Sequence, residues 1–219
     1  MSKHFIIYSH GFGVDKTGRG LFTDIAASLP NIEHVMFDYN IVDDANKTMT
    51  VSSLNHQSET LADIFGKIKV DNPDATIDLI CHSMGCLSAA LANPEGVRKT
   101  FFLAPPDNVD ADKFKAIFSR SGAELNPDGD SKVPRRDGST TIIPKDFWDS
   151  LSVNVIELFD KFSERTDLTL VEADHDEVVG LTNFSELNKS IRSKQLSSDH
   201  NFTGNAREEL CKLVNQLIQ

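Results

Sequence analysis

A short apolar run that ends at a serine and is followed by a helix of small residues constrains the fold more than any other stretch of this sequence. Residues 76–80 predict a buried strand, and residues 84–91 predict a helix whose small side chains allow close packing on a sheet. Ser83 lies on the turn between them. Such a turn holds a serine hydroxyl away from the sheet and places backbone N–H groups beside it, which attack on a carbonyl requires.

The residues that flank Ser83 match the usual pattern at one position and depart from it at the other. The turn crowds its neighbours, so glycine is expected two residues before and two residues after the serine. Gly85 occupies the second position, whereas Cys81 occupies the first. Because cysteine is small, we expect the turn still to close. Strings of this kind also arise by chance, and the alternative is a serine that merely begins a helix.

Three further stretches supply the other parts of such a site. The segment His-Gly-Phe-Gly at residues 10–13 follows an apolar run, Asp176 follows another, and His200 comes last within an Asp-His-Asn-Phe string. With the order Ser, Asp, His along the chain, the sequence resembles the α/β-hydrolase superfamily over nearly its whole length. The resemblance is weakest over residues 107–166.

The resemblance implies an α/β fold with a mostly parallel central sheet of about six strands, flanked by helices and carrying a small cap insertion. We expect a single domain over residues 1–219, because the chain is long enough for one core and its composition does not shift sharply. Residues 107–150 are expected to form the cap and to contain a β-hairpin. Within it, Phe147 and Trp148 either provide an apolar wall for substrate or anchor the insertion to the core.

Three local predictions follow from turn and helix signals. Residues 144–162 are expected to form one helix that starts on its proline. Residues 183–188 suggest a short helix. Residues 38–40 lie at the end of the strand predicted over residues 32–37, where open α/β sheets bind ligands; they either line the pocket or, as we expect, form a solvated loop.

The resemblance also implies a role for each candidate site residue. Ser83 is the nucleophile, His200 the base and Asp176 the acid that orients it, while the N–H groups of Phe12 and Met84 form the oxyanion hole. Asp174 remains an alternative to Asp176, because both follow the same predicted strand. His82 is a poor candidate for the base, since neighbours on a sharp turn point in different directions.

The activity implied is that of a carboxylesterase-like serine hydrolase, which cleaves a carboxylic ester through an acyl-enzyme. Amides and thioesters are further substrate classes. The expected partner is a small-molecule acyl substrate, and neither a metal nor an organic cofactor is needed. Two alternatives remain: a catalytically silent binding module with the same fold, and an acyltransferase that uses the same triad.

Charge and cysteine content limit the possible partners and the cellular compartment of the protein. The chain carries 22 basic and 33 acidic residues, a net charge of -11, which disfavours nucleic acid and anionic membranes as partners. Three cysteines without metal-binding spacing fit a reducing compartment. The N-terminus shows no secretory pattern, so we expect a cytoplasmic protein. The sequence leaves its oligomeric state open.

Overall fold

The computed structural model describes residues 2–118 and 122–219, so residues 119–121 of the expected cap lie outside the described part of the chain. The strands are β1 (His4–Ser9), β2 (Glu33–Met36), β3 (Ile41–Asp43), β4 (Thr48–Thr50), β5 (Thr76–His82), β6 (Lys99–Leu103), β7 (Ser131–Pro134), β8 (Thr140–Ile143), β9 (Asp167–Ala173) and β10 (Arg192–Leu196). The helices are α1 (Leu21–Ala27), α2 (Leu54–Asp71), α3 (Met84–Ala92), α4 (Ala111–Phe118), α5 (Lys145–Asp149), α6 (Val155–Ser163) and α7 (Asn205–Ile218).

Six strands form one parallel sheet in the order β10-β9-β6-β5-β1-β2, which confirms the fold class expected from the sequence. The central strands β1 and β5 are buried along nearly their whole length, which explains their uninterrupted apolar runs. The chain leaves β1 toward one edge of the sheet and leaves β5 toward the other. Open α/β sheets bind ligands at the carboxyl ends of strands beside such a reversal, and here His10 and Ser83 follow those two ends.

Helices cover both faces of this sheet. On one face, α2, α3 and α6 bury apolar residues such as Leu61 and Phe159 against the strands. On the other face, α1 and α7 bury Phe22 and Leu210. Among the residues that the structure describes, no helix is both long and apolar enough to cross a membrane.

A second sheet of four strands, in the order β3-β4-β8-β7, adjoins the cap segment. Strands β7 and β8 form an antiparallel hairpin within residues 107–150, and β4 pairs in parallel with β8. The expectation of a solvated loop over residues 38–40 is wrong at Tyr39, which is buried and hydrogen-bonded through its hydroxyl to Ser9. The division into one domain with a cap over residues 107–150 stays a prediction.

The two bulky aromatic residues of this segment pack into the core. Phe147 is fully buried, and the Trp148 Nε1–H group donates to Ser131 Oγ at 3.1 Å. Because Trp148 lies on α5 and Ser131 on β7, this bond fastens the hairpin to the helix. Both aromatic residues therefore anchor the insertion.

Two predicted helices are corrected by the structure. Residues 144–162 form two helices, α5 and α6, because α5 ends at Asp149 and the Asn154 side chain caps a new helix by accepting the Glu157 N–H. Residues 183–188 form turns. The side chain of Asn183 accepts the N–H of Ser185, a local bond that competes with helix formation.

Candidate active site

The turn after β5 holds Ser83 in a strained backbone conformation. Its φ is 54° and its ψ is -125°, values that non-glycine residues rarely adopt. The Ser83 N–H donates to the carbonyl of Leu103 on the neighbouring strand at 2.9 Å. Helix α3 begins at the next residue, so the serine stands at the junction of strand and helix, as the sequence predicts.

The two positions that flank Ser83 in the motif differ in how much space they have. A Cβ atom at Gly85 would lie 2.2 Å from the carbonyl oxygen of Ser9, so only glycine fits there. Cys81 is fully buried within β5, and burial raises the pKa of its thiol, which is therefore neutral. The turn closes with cysteine at the first position.

The structure brings Ser83, His200 and Asp176 together into one chain of hydrogen bonds. His200 Nε2 lies 3.0 Å from Ser83 Oγ, and His200 Nδ1 lies 2.7 Å from Asp176 Oδ2. Asp176 follows β9, and His200 follows β10. Both are buried, at 8% and 6% exposure, so the contact between them is largely shielded from water.

Asp176 has the environment of a carboxylate that stays ionised. Burial opposes its charge, but the His200 hydrogen bond and charge, together with N–H groups from Val178 and Val179 at 2.8 Å each, lower its pKa below the usual value. Asp174 is engaged differently, because its carboxylate contacts His175 and accepts the Ser198 N–H. Of the two candidate acids, Asp176 is the one in contact with His200.

Phe12 follows Gly11, which approaches Ser83, and Met84 is the residue after Ser83. Both residues line the same cavity as Ser83, and neither N–H has a hydrogen-bond acceptor among the residues that the structure describes. A Cβ atom at Gly11 would lie 3.0 Å from the Ser83 Cβ, so glycine lets this loop approach the serine. Phe12 and Met84 thus line the cavity at Ser83, and their N–H groups have no acceptor in the described part of the chain.

A buried hydrogen-bond network around His10 supports the loop that carries Phe12, and the sequence did not predict it. Neutral His10 has Nδ1 2.9 Å from the carbonyl oxygen of Gly11, and its Nε2 accepts the Tyr39 N–H at 3.0 Å. Burial lowers the His10 pKa, which matches these roles. The Gly11 carbonyl belongs to the same rigid peptide plane as the Phe12 N–H, so fixing one orients the other. The one available signal was the position of His10, directly before Gly11.

His82 makes a different contact from that of a base. Its Nε2 lies 2.8 Å from the carbonyl oxygen of His200. Burial is the main cause that lowers its pKa to about 3, so it is neutral and donates to that carbonyl. His82 therefore supports the backbone of the His200 loop, and its ring nitrogen has no contact with Ser83.

A cavity of about 250 Å³ opens at Ser83 between the first loop and the cap segment. Neither Phe147 nor Trp148 belongs to its lining. Apolar side chains make up most of the walls, and they are Phe12, Val14, Met84, Pro106, Val109, Phe114, Ile117, Phe118, Val178 and Val179.

Neither a protein-family model nor a curated protein matches this sequence, but solved structures match the fold over almost the whole chain. Est1E from Butyrivibrio proteoclasticus superposes with a TM-score of 0.70 at 17% identity, covering 99% of this chain and 87% of that one. A structure from the pair LipS and LipT, two metagenome-derived lipolytic enzymes, gives 0.70 at 17% identity, with 99% and 94% covered. The α/β hydrolase GrgF from Penicillium sp. sh18 gives 0.69 at 16% identity, with 99% and 89% covered.

The protein has the α/β-hydrolase fold. The resemblance inferred from the motifs is thereby confirmed at the level of architecture. In this α/β-hydrolase-fold chain, the three loops that carry Ser83, Asp176 and His200 all leave the carboxyl edge of one parallel sheet, so residues far apart in sequence meet at one cavity.

Proposed function

We propose that this protein is a serine hydrolase that cleaves carboxylic esters, and that Ser83, His200 and Asp176 are its catalytic triad. The observation that carries the proposal is the unbroken hydrogen-bonded chain from Asp176 through His200 to the Ser83 hydroxyl at the cavity. Nucleophile, base and orienting acid each have the partner that their role requires.

The reaction begins when His200 Nε2 takes the Ser83 proton and Oγ bonds to the ester carbonyl carbon. The carbonyl oxygen becomes negatively charged, and the N–H groups of Phe12 and Met84 bind it. Loss of one such donor typically costs about a hundred- to a thousand-fold in rate. The bond to the leaving alcohol then breaks, and His200 returns the proton to that alcohol.

A water molecule completes the cycle. His200 takes a proton from water as its oxygen attacks the acyl-enzyme carbonyl. The bond to Ser83 Oγ then breaks as His200 gives that proton to Oγ, and the acid departs. Throughout, the ionised Asp176 holds His200 Nδ1–H and stabilises the charged imidazole. The lowered pKa of Asp176 keeps it ionised at neutral pH.

The solved structures with this fold support the general class of reaction, since LipS and LipT are described as lipolytic enzymes. Another structure of Est1E holds ferulic acid, a carboxylic acid of the kind that ester cleavage releases. The apolar walls of the cavity fit an acyl group better than a strongly hydrated substrate.

Labelling by a fluorophosphonate probe tests the proposal directly. The wild type is expected to label, and Ser83→Ala and His200→Ala are expected not to. Ser58→Ala and His56→Ala, on the surface of α2, are matched controls that should label like the wild type. A folded wild type that stays unlabelled would overturn the hydrolase assignment and favour a binding module. Wild-type protein that has not been exposed to the probe should hydrolyse p-nitrophenyl butyrate with steady turnover.

A further inference from the structure

Among the described residues that line the cavity, the two side chains with a permanent charge are both basic. Arg19 from the first loop and Lys113 from α4 contribute to the walls, together with the two histidines of the site. Within residues 2–118 and 122–219, no Asp or Glu belongs to the lining. This is the reverse of the whole chain, in which acidic residues outnumber basic ones by 33 to 22. The cavity is thus locally attractive to anions in an acidic protein.

Arg19 is free to bind a ligand. Within residues 2–118 and 122–219, its guanidinium has no hydrogen bond or ion pair, although it is an exposed group with five donors. Two carboxylates close to Arg19 in the sequence bind other groups. Asp15 accepts the N–H and hydroxyl of Thr17, and Asp24 pairs with Arg207 at 2.6 Å. The guanidinium can therefore meet a planar anion with two parallel hydrogen bonds.

The backbone at Arg19 is held in an unusual conformation. Gly18, Arg19 and Gly20 have φ values of 56°, 57° and 86°, so an arginine stands in the left-handed region between two glycines. A non-glycine residue is strained in that conformation. No hydrogen bond or ion pair of the Arg19 side chain within the described residues offsets this strain. Binding of an anion at the cavity would give this strained arginine a role.

Lys113 adds a second, partly neutralised cation. Its Nζ lies 3.4 Å from Asp107 Oδ1, a long contact, while the other oxygen of Asp107 accepts the Asn183 N–H. An ammonium has three donors, so this single contact leaves donors for a ligand. Lys113 is carried by the cap segment and Arg19 by the loop after β1, so the two cations come from different walls of the cavity.

We propose that the substrate is an ester that carries an anionic group, a carboxylate or a phosphate, and that Arg19 binds this group with the help of Lys113. The inference rests on the proposed hydrolase function, because the ester carbonyl is taken to sit at Ser83. About 250 Å³ corresponds to roughly eight water-sized groups, enough for a short spacer between the two ends. Val109 and Ile117 provide an apolar surface for such a spacer.

Binding to the Ser83→Ala variant tests the inference without any turnover. Monomethyl glutarate, which is anionic, and dimethyl glutarate, its neutral counterpart, are titrated into the isotope-labelled variant, and dissociation constants are obtained from NMR chemical shifts. We expect the half-ester to bind about tenfold more tightly, since a hydrogen-bonded ion pair at a partly exposed arginine contributes on this order. The preference should shrink as salt is added.

The matched variants are made in the same Ser83→Ala background. Arg19→Gln is expected to reduce the preference to less than about threefold, and Lys113→Gln to reduce it by a smaller factor. Lys16→Gln, in the same loop, and Lys115→Gln, on the same helix, remove cations that do not line the cavity and should keep the full preference. Methyl 4-phosphonobutyrate, titrated in parallel, shows whether a carboxylate or a phosphate-like group is favoured.

The outcomes separate this inference from the hydrolase proposal. Equal affinity for the anionic and neutral esters would overturn the inference even if the wild type labels and hydrolyses esters. A preference that survives Arg19→Gln would overturn the assignment of Arg19. An Arg19-dependent preference in a protein that does not label would support the anionic site while the hydrolase proposal fails.

With an active wild type, the preference for the anionic ester should also appear as a lower KM for mono-p-nitrophenyl glutarate than for its methyl ester.

Discussion

Two buried carboxylates lie at opposite ends of the same parallel sheet, and the structure surrounds them differently. Asp78, near the start of β5, is fully buried and accepts hydrogen bonds from Arg98 Nε and from the Lys99 N–H, each at 3.0 Å. His4 Nε2 lies 2.6 Å from its other oxygen. Asp176, beyond the carboxyl end of β9, accepts two backbone N–H groups and contacts His200.

The difference lies in where each network ends. The Asp78 network closes on the protein itself, because Arg98 also donates to the carbonyl of Ile218 at 2.6 Å and so ties α7 to the sheet. The Asp176 network ends at the Ser83 hydroxyl, which faces the cavity. A closed network stabilises the fold, whereas an open one leaves an atom for substrate. The amino edge of the sheet is therefore structural, and we assign chemistry to the carboxyl edge.

Of the variants considered, Asp176→Asn, which breaks the open network, should have the largest effect on activity. The amide oxygen can still accept the N–H groups of Val178 and Val179, so the loop is retained. The amide NH₂ then faces His200 Nδ1 and forces the tautomer whose Nε2 already carries a proton and cannot act as a base. We expect kcat for p-nitrophenyl butyrate to fall about ten-thousand-fold, with the melting temperature nearly unchanged. A fall of less than about tenfold would contradict the role proposed for Asp176.

Asp78→Asn makes the same chemical change in the closed network. It replaces an acceptor with a donor against Arg98 and removes the charge that pairs with the guanidinium. We expect the free energy of unfolding in urea to fall by about 2–3 kcal/mol, less than for a fully buried pair because the Arg98 side chain is 35% exposed. The kcat of the remaining folded protein should stay within about twofold. A large loss of kcat without loss of stability would remove the distinction between the two edges.

His82→Gln should show that the carboxyl edge is sensitive to acid. The pKa of His82 falls from 6.5 in the unfolded chain to about 3 in the fold. As the pH falls below 6.5, the unfolded chain therefore binds a proton that the folded protein excludes, and stability is lost. The wild type should lose about 2 kcal/mol through this group between pH 7 and pH 5. Glutamine cannot be protonated but can still donate to the His200 carbonyl, so the variant should lack this loss.

Urea unfolding of both proteins at the two pH values measures the effect, because the other titrating groups are shared and their contributions cancel in the difference. A difference between the two proteins that does not change with pH would mean that His82 is not held neutral by the fold.

The candidate site is mostly predictable from the sequence because its signals are local. Strand, serine and small-residue helix follow one another within residues 76–91, and the loops that carry His10 and His200 each follow a strand directly. In a parallel sheet, strands that run the same way place such loops at one edge. Asp176 and Asp174 both satisfy that rule, and only the positions of their oxygen atoms relative to His200 separate them.

Contacts between distant segments cannot be predicted from such local signals. Asp78 and Arg98 are separated by 20 positions and belong to two strands whose pairing register decides whether they meet. The second sheet joins β4 to β8 across about 90 residues, and its three-residue strands are too short for a periodic pattern. Whether Arg19 has a polar partner among the described residues likewise depends on where the carboxylates lie, which the sequence does not show.

Cys81→Gly should have the smallest effect and tests whether the unusual residue in the motif matters. Cys81 does not have a positive φ and packs without exposure inside β5, so its position does not require glycine. Replacement removes a buried side chain and adds flexibility to the unfolded chain. We expect the free energy of unfolding to fall by about 1–2 kcal/mol and kcat to stay within about twofold.

Gly85→Ala is the informative contrast for that variant. The added methyl group would meet the carbonyl oxygens of Ser9 and His10, which are backbone atoms that cannot move aside without shifting β1 and the loop that carries Phe12. This variant should lose fluorophosphonate labelling in whatever fraction remains folded. If Cys81→Gly instead raised kcat markedly, cysteine would be restraining the turn, and the closed geometry around Ser83 would not be the optimum for its chemistry.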